Sequence, residues 1–515
     1  MGCHCFRDKE SPQLPPDSDH LKTTAPGPTA LTQGFTPSTQ PSPEEVKNQT
    51  GTSLRNKGTA APRKSQLVPG SGVKLRELRV TTGGLASCYA VEKEQFAGLV
   101  KAQVKESKKQ CWVQTCAFKA DRRNKDKSQQ FARTLRSLDH PNVLKVLDVL
   151  QDQDHCYVVY EATESQCAEE LSEHVETISE QWAANILRQV FAALSHCHSQ
   201  GLVLGTLSLR HVLFTAVPTE QCTWVKLLLP QEEEAQYRTG YMAPEFKNKT
   251  YFGPANDLWS CGVMISALLA GEFMLREKPK AAVPQELKAA YLKWQGVSKE
   301  AKSLTLSLLS RNYQSRPSLE ACLQHPWLAV SAPTPSLTPS IRTALRHLSS
   351  LKPVSSLKQA LLRLMVNLVV PYADLQAALE AFRELDTDLD GAVSEEELQA
   401  HIVRLFPEQQ AQSALTAITS AGVFSQDRKL MYSQFLLWAS SHQVLCTPSN
   451  TASLFRLLDK SHDKKVTAGE VNPVLCLEQE DTKEGSAWSV LMQEMGKARE
   501  ETVTLAEFCS FLQRA

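Results

Sequence analysis

The chain has 515 residues, too many for one ordinary domain, so we expect two or three folded units joined by linkers. Its 56 basic and 56 acidic residues balance, which argues against a nucleic-acid partner, since such a partner demands a basic face. No apolar run reaches the roughly 18 residues that span a bilayer. The 14 cysteines lack the spacing of a disulfide framework or a zinc site, so we expect free thiols in a reducing interior.

Residues 1–72 predict a disordered tail, because Pro, Ser, Thr, Gln and Lys dominate and little apolar surface can be buried. The first residues differ: Gly2 is placed for myristoylation, and Cys3 and Cys5 can take palmitate. Phe6 stands where the motif prefers Ser or Thr. Two acyl chains hold a protein stably, so we expect the cytoplasmic face of a membrane. The alternative is an exposed terminus with incidental cysteines.

Residues 73–330 predict a body with two unequal lobes. Short apolar strands come first, in "CWVQTCAFKA" and "HCYVVYEA". Longer helical patterns follow, in "EQWAANILRQVFAALSHCHS" and "DLWSCGVMISALLAG". A linker rich in Pro, Ser and Thr, "SAPTPSLTPS", ends this body at residues 331–340.

Several motifs of this body resemble the eukaryotic protein kinase fold. "GYMAPEF" resembles the Ala-Pro-Glu segment, in which Glu245 is expected to pair with a buried arginine, here Arg316. "DLWSCGV" resembles the central helix whose Asp257 would anchor the backbone of the catalytic loop. "SLDHPNVLKVLDVLQDQDHCYVVYEA" resembles the run from the regulatory helix into the hinge, with Tyr160 at the gatekeeper place.

The chemical parts of a kinase match less well. The resemblance gives Lys119 as the nucleotide-binding lysine, and the glutamate expected to hold it falls on Phe131. The phosphate loop becomes "FAGLVKAQV", whose three glycine places hold Ala97, Leu99 and Ala102. Side chains at these places compromise the close backbone approach that glycine allows.

The catalytic loop, "GLVLGTLSLRHVLF", also departs from the pattern. Thr206 stands at the place of the catalytic aspartate, His211 at the metal-binding asparagine, and Leu229 at the principal magnesium ligand. Magnesium prefers oxygen ligands and phosphoryl transfer needs these parts together. The sequence therefore predicts no catalytic residue, an inactive homologue, and little binding of ATP or Mg²⁺ beyond a residual contact at Lys119. The alternative is an active kinase that uses Lys119 with relocated carboxylates such as Glu232–Glu234.

The segment "DTDLDGAVSEEE", residues 386–397, matches the twelve-residue EF-hand loop position by position. Gly391 takes the sharp turn, and Ser394 can act through water. A solvated acidic helix end is the alternative. The predicted calcium ligands are Asp386, Asp388, Asp390, the carbonyl of Ala392, and Glu397.

A second loop, "DKSHDKKVTAGE" at residues 459–470, repeats the pattern less well. Lys464 stands where glycine is wanted, and three lysines lower the negative potential, so we expect weaker binding. "VFSQDRKLMYSQF" and "GKAREETVTLAEF" have the framing without ligands and predict two silent hands. The predicted ligands of the second loop are Asp459, Ser461, Asp463, the carbonyl of Lys465, Thr467 and Glu470.

The order of tail, kinase-like body, linker and four hands resembles the calcium-dependent protein kinases of plants and protists. The resemblance implies an α+β two-lobed kinase-like fold followed by an all-α calmodulin-like EF-hand domain at residues 373–515. Residues 331–372 would hold a linker and an autoinhibitory junction helix. From residue 341 onward the sequence reads as wholly helical. The basic residues of the junction are Arg342, Arg346, Lys352, Lys358 and Arg363, which suits a calmodulin-type target.

The leading hypothesis is a calcium-switched, membrane-anchored pseudokinase that acts as a scaffold. Its cofactor would be Ca²⁺, and its partners would be its own junction helix, an unidentified protein and a membrane surface. Two alternatives stay open: an active calcium-regulated serine/threonine kinase, and a plain calcium buffer whose shape does not change.

Overall fold

In a computed structural model of the chain, the described residues all belong to the unit Ser65–Ala515. The predicted tail and its acylation residues, Gly2, Cys3 and Cys5, lie outside the described residues. The described residues are 79–80, 85–96, 98–117, 134–152, 155–163, 166–170, 178–205, 207–216, 218–219, 223–229, 240–247, 252–270, 294, 296–329, 338–351, 354–425, 427–475, 487–497 and 502–513.

The first lobe is a six-stranded sheet in the order β1-β5-β6-β4-β3-β2, antiparallel except for the parallel pair β1 and β5. Along β6 burial alternates from His155 to Val158 and is then continuous to Glu161, and Cys156, Val158 and Tyr160 share a core cluster with Trp112. The strands predicted from "CWVQTCAFKA" and "HCYVVYEA" are confirmed as β4 and β6. The strands are β1 (Arg79–Val80), β2 (Tyr89–Phe96), β3 (Leu99–Val104), β4 (Gln110–Ala117), β5 (Val146–Gln151) and β6 (His155–Glu161).

The second lobe is helical and is built around α1 (Glu180–Ser199), as predicted. The hydroxyl of Ser179 accepts a hydrogen bond from the backbone N–H of Trp182, so it caps the helix N-terminus. A two-stranded ribbon, β7 (Val212–Phe214) and β8 (Val225–Leu227), lies beside it. The other helices are α2 (Pro244–Lys247), α3 (Pro254–Ala270), α4 (Lys299–Leu308), α5 (Leu319–Leu323) and α6 (Pro326–Ala329).

Residues 338–513, here called the C-terminal region, form a second hydrophobic core. The prediction that this region is wholly helical is wrong in one detail, because four short strands join its loops in pairs. They are β9 (Ala392–Ser394), β10 (Lys429–Met431), β11 (Lys465–Val466) and β12 (Val503–Thr504). The two lobes together, residues 79–329, are called the body.

Helices make up most of the described part of the C-terminal region. The junction divides into α7 (Pro339–Ser349) and α8 (Ser356–Leu368), and α8 packs against α12, α13, α14 and α16. The remaining helices are α9 (Gln376–Leu385), α10 (Glu395–Leu405), α11 (Glu408–Ser420), α12 (Tyr432–Ala439), α13 (His442–Leu445), α14 (Pro448–Leu458), α15 (Ala468–Leu475), α16 (Ala487–Met495) and α17 (Leu505–Gln513).

Two composition-based expectations can be compared with the described residues. Within them, no helix combines the length and apolar character needed to cross a membrane. Nine of the described cysteines form no disulfide, and burial raises the pKa of several, including Cys197 to about 12.

Candidate functional site

Asp257 binds the backbone of the loop that resembles a catalytic loop. This carboxylate is fully buried at the start of α3 and accepts hydrogen bonds from the backbone N–H groups of Leu204 at 3.0 Å and Gly205 at 2.5 Å. His198 Nε2 lies 2.7 Å from the same carboxylate. The predicted anchoring role of Asp257 is therefore confirmed.

A buried ion pair ties the Ala-Pro-Glu segment to the rest of the helical lobe. Both terminal nitrogens of Arg316 donate to Glu245, at 2.5 and 2.9 Å, and Asn256 Nδ2 donates to the same carboxylate at 3.0 Å. The guanidinium also lies 5.1 Å from the ring centroid of Trp259. The predicted pair is confirmed, and its bidentate geometry is the strong form of such contacts.

Two of the predicted catalytic positions lie next to each other in this lobe. His211 ends a short 3₁₀ turn, Leu209–His211, and its Nδ1 accepts from the backbone N–H of Ser208 at 3.0 Å. The backbone N–H of Leu228 donates to the carbonyl of His211 at 2.7 Å, which places Leu229 one residue further along. Leu229 is buried, and its side chain offers no oxygen to a metal.

Of the remaining predicted positions of the kinase-like site, only some belong to the described residues. Strands β2 and β3 meet at a tight turn containing Gly98, whose φ of 81° lies in the left-handed region. Leu99 follows it and is fully buried. Lys119, Phe131, Thr206 and Glu232–Glu234 lie outside the described residues.

The first acidic loop, residues 386–397, joins α9 to α10. Asp386, Asp388 and Asp390 bring carboxylate oxygens within 4.8 Å of one another. Gly391 follows with a φ of 86°. Glu397 lies in the first turn of α10, and its Oε2 accepts from the backbone N–H and the hydroxyl of Ser394, both at 2.9 Å.

The charge balance of this loop suits a divalent cation. Burial raises the pKa of Asp386 well above its usual range, and the charges of Asp390, Asp388 and Glu397 raise it further. Among the described residues, Oδ1 of Asp386 is a buried oxygen without a hydrogen-bond partner. Such an atom is costly unless a cation compensates it. With the carbonyl of Ala392 and the carboxylate of Glu397, the donors are all oxygens, the set that Ca²⁺ prefers.

Glu397 behaves differently from the three aspartates. Burial alone would raise its pKa, but hydrogen bonds from Thr387 and Ser394 outweigh this effect, so the pKa is lowered. One carboxylate is thereby held ready in its charged form while the others repel one another. Glu397 is thus a fixed, charged ligand at one end of the loop, and the three aspartates at the other end repel one another.

The second acidic loop, residues 459–470, repeats these hydrogen bonds. The backbone N–H of Lys464 donates to Asp459 Oδ2 at 3.0 Å, as Gly391 does to Asp386 at 3.2 Å. Ser461 and Thr467 donate to Glu470, and Lys465 N–H donates to Asp463 at 2.8 Å. Lys464 has a φ of 65°, the left-handed conformation predicted to be strained for a lysine.

The first acidic loop lies directly against the body through His140. The Nδ1 of His140 accepts from the backbone N–H of Asn142 at 3.0 Å, so the proton belongs to Nε2, which lies 3.3 Å from the carbonyl of Leu389. Burial and the neighbouring His196 lower the pKa of His140 to about 3. The ring is therefore a neutral donor to the loop. A Cβ on Gly391 would lie 2.3 Å from its Cδ2 atom.

The residue before it, Asp139, contacts the start of α12, which follows the strand β10 that pairs with the first acidic loop. Its carboxylate accepts from the backbone N–H of Ser433 at 3.1 Å and from the Ser433 hydroxyl at 2.7 Å, at the start of α12. Lys145 Nζ lies 3.1 Å from the same carboxylate. Burial alone would raise the pKa of Asp139, but the charge of Lys145 and the hydrogen bonds of Ser433 outweigh it and lower the pKa.

A buried lysine, Lys226, contacts both the end of β6 and the C-terminal region. Lys226 on β8 donates to Glu161 Oε1 at 2.6 Å, at the end of β6. Its Nζ lies 5.7 and 5.4 Å from the ring centroids of Tyr372 and Tyr432. Burial alone would lower the pKa of Lys226, but the charge of Glu161 outweighs it, so the pKa is raised. The contact is thus a charged pair covered by two aromatic rings.

Comparison with known proteins agrees with this geometry. Residues 95–328 match the family model described as "Protein kinase domain". Calcium-dependent protein kinase 8 of Arabidopsis thaliana is 23% identical over 392 residues, which cover 73% of this chain and 72% of that protein. Calcium-dependent protein kinase 31 of the same plant is 22% identical over 397 residues, covering 73% and 81%. Residues 95–328 are therefore similar to a protein kinase domain, and the chain is similar to these calcium-dependent kinases over 73% of its length.

The prediction that the chain is not an enzyme is therefore wrong. It rested on Thr206, His211, Leu229 and Phe131, and the match to a kinase domain and to named kinases favours a protein kinase instead. Phosphoryl transfer depends on positioning and electrostatic stabilisation, and of these four positions Thr206 and Phe131 lie outside the described residues. The prediction against ATP and Mg²⁺ loses its support for the same reason.

Sequence reasoning missed the contacts that join the body to the acidic loops. His140 and Asp139 stand in "SLDHPNV", which was interpreted only as a turn of the body. Lys226 stood unnoticed in "WVKLLLP". A charged residue inside an otherwise apolar strand was the available sign, because a buried lysine needs a partner.

Proposed function

We propose that the protein is a calcium-regulated protein kinase of the serine/threonine type, in which the first acidic loop controls the kinase domain. The observation that carries the proposal is the packing of Leu389 and Gly391 against His140. A loop that changes its backbone when it takes up a cation cannot do so without acting on this histidine.

The C-terminal region supports the calcium part of the proposal. Residues 386–397 and 459–470 each lie between two helices, and their strands pair with those of the ligand-poor segments, Val393 with Leu430 and Val466 with Val503. This pairing supports the proposal of EF-hands in pairs, each with one loop that carries the ligand pattern and one that does not. The four-hand, calmodulin-like interpretation follows from it, and the names of the relatives also indicate calcium.

Binding of Ca²⁺ would act through two adjacent residues of the body. His140 contacts the competent loop and Asp139 contacts the start of α12 beyond the silent loop. Calcium sensors open the angle between the two helices of a hand. Because Asp139 and His140 are neighbours, a change in the angle between the helices would displace both residues, and with them the turn that precedes β5.

The junction helix is positioned to take part in this change. The Nζ of Lys109, from the turn between β3 and β4, donates to the carbonyls of Val366 at 2.9 Å and Asn367 at 2.7 Å, at the C-terminal end of α8. Ser107 donates to the carbonyl of Leu368 at 2.7 Å. A cation at this end of a helix is favourable. We infer that the junction helix α8 regulates the kinase domain, because it lies between that domain and the paired hands.

For the chemistry, ATP with Mg²⁺ is the proposed co-substrate and Lys119 its proposed contact. Leu229 supplies no metal ligand, so carboxylates near it in sequence, such as Glu232–Glu234, are the proposed replacements. A protein hydroxyl is the proposed acceptor.

Transfer of radiolabelled phosphate from ATP by the full chain tests this proposal, with Ca²⁺ and with a chelator. We expect transfer that rises with Ca²⁺, and a loss on the order of 10²-fold in Lys119→Ala, since a charge-positioning group is removed. Lys101→Ala, which removes a lysine from β3, serves as the matched control and should keep its activity. Absence of lysine-dependent transfer at any calcium level would refute the enzyme.

Small-angle scattering with and without Ca²⁺ tests the regulation separately. A regulated kinase should change its shape as the hands open, whereas a plain calcium buffer should not. Asp386→Asn should remove the change at the first loop.

From sequence we also propose attachment to the cytoplasmic face of a membrane through acyl chains on Gly2, Cys3 and Cys5. Flotation of the expressed protein with lipid vesicles tests this. Gly2→Ala should stay with the soluble fraction, and Cys509→Ser, which changes a cysteine far from the terminus, should float like the original.

A further inference from the structure

The silent loop of the first pair carries a lysine whose ammonium reaches into the first acidic loop. Lys429 starts β10, and its backbone pairs with Ser394 across the short ribbon. Its Nζ forms an ion pair with Oδ2 of Asp390. Asp390 is one of the three carboxylates whose oxygens lie within 4.8 Å of one another.

We propose that Lys429 sets the calcium threshold of the first acidic loop by acting as a built-in cation that Ca²⁺ must displace from Asp390. This inference rests on the proposed calcium function and adds a residue that determines affinity. The reason is the position of the ammonium. A ligand oxygen that is paired with an ammonium can bind the metal only after that ion pair breaks.

The two pairs of hands provide an internal comparison. Register places Val393 opposite Leu430 in the first pair and Val466 opposite Val503 in the second, so Lys429 corresponds to Thr502. Thr502 is neutral, and its carbonyl accepts from Lys497 at 2.8 Å. At this strand position the first pair therefore has a cationic residue and the second pair a neutral one.

The expected size of the effect follows from Coulomb's law. A unit charge a few ångströms from a ligand oxygen acts strongly in a protein interior and weakly in water. The side chain of Lys429 is 38% exposed, so solvent screens part of the interaction. We expect removal of the charge to raise the calcium affinity of the first loop by about tenfold.

Calorimetric titration of the full chain with CaCl₂ tests this. Lys429→Thr should bind Ca²⁺ at the first loop about tenfold more tightly, and Lys429→Arg, which keeps the charge, should bind like the original. Arg428→Gln is the control, because it removes the neighbouring cation, which pairs with Glu395 outside the ligand set at 2.6 Å. That variant should change affinity by less than about twofold.

A second readout separates this role from simple damage to the fold. Without Ca²⁺, Lys429→Thr should melt at a lower temperature, because the carboxylates lose the cation that offsets their repulsion. With saturating Ca²⁺ the melting temperatures should converge. If the original chain binds Ca²⁺ and Lys429→Thr binds no more tightly, the inference is wrong. If the original chain binds no Ca²⁺ at millimolar concentration, the proposed function itself fails.

Discussion

The two acidic loops share a ligand pattern and a set of hydrogen bonds, but they differ in what surrounds them. Leu389 to Ala392 of the first loop are buried or half-buried against the body, whereas residues 460–465 of the second loop are all exposed. The first turn uses a glycine, and the second uses Lys464. A ligand pattern thus defines where a cation can bind, and the neighbours decide whether the rest of the molecule responds.

The largest expected effect comes from filling the space at Gly391. Gly391→Ala should lower the free energy of unfolding by about 2–5 kcal/mol, because a left-handed residue gains a Cβ and the Cβ meets His140. Lys464→Gly in the second loop should raise it by about 1 kcal/mol, since the same strain is relieved in the open. Urea denaturation without Ca²⁺ measures both.

Gly422→Ala is the control for Gly391→Ala. Its φ of 67° imposes a similar strain, and an added Cβ would meet nothing within 4 Å. The contact with His140 is unimportant if the two alanine variants cost the same.

The next effect concerns the last ligand of each loop. Glu397→Gln should weaken calcium binding at the first loop by on the order of 100-fold, because a charged two-oxygen ligand is replaced by a neutral amide. Glu470→Gln should weaken only the second loop and leave the scattering change of the first intact. Calorimetry and scattering measure the two properties, and Glu395→Gln, a non-ligand in the same helical turn, is the control. Equal loss of the shape change in both variants would contradict the distinction between the loops.

The smallest effect is a dependence on pH. The pKa of His140 falls from 6.5 in a free side chain to about 3, so on acidification the unfolded chain takes up a proton that the folded chain refuses. Stability should therefore fall from pH 6.5 towards pH 3, by on the order of 1–2 kcal/mol between pH 6.5 and 5. The groups around the ring are His196, Lys226 and Asp139.

Denaturation at several pH values measures this slope. His140→Gln should flatten it, because the amide can donate to Leu389 without titrating. His462→Gln changes an exposed histidine of the second loop and should keep the slope of the original. An unchanged slope in His140→Gln would assign the effect to other groups.

The parts predictable from sequence were those with a local cause. Helix α1 follows from a long helical pattern of apolar residues, and the acidic loops follow from oxygen ligands at fixed spacing. Glu245 with Arg316, and Asp257 with its loop, came from motifs that resemble a family.

The contacts that sequence could not supply join residues far apart along the chain. His140 meets Leu389 across 249 positions, and Asp139 meets Ser433 across 294. Neither contact has a spacing or a period, because packing of one folded surface on another creates it. The error about catalysis has a different source, because it rested on single motif positions and was overturned by the match of residues 95–328 to a protein kinase domain.

Lys226 has a further consequence for how the kinase domain opens and closes. Its ion pair joins the strand that leads to Leu229 with Glu161 at the start of the segment between the lobes, and Tyr372 and Tyr432 shield the pair from water. Undocking the C-terminal region would wet this pair and weaken the attraction that fixes one lobe's angle to the other. Lobe rotation and undocking are then thermodynamically linked, so any ligand that brings the two lobes together should also favour the docked arrangement.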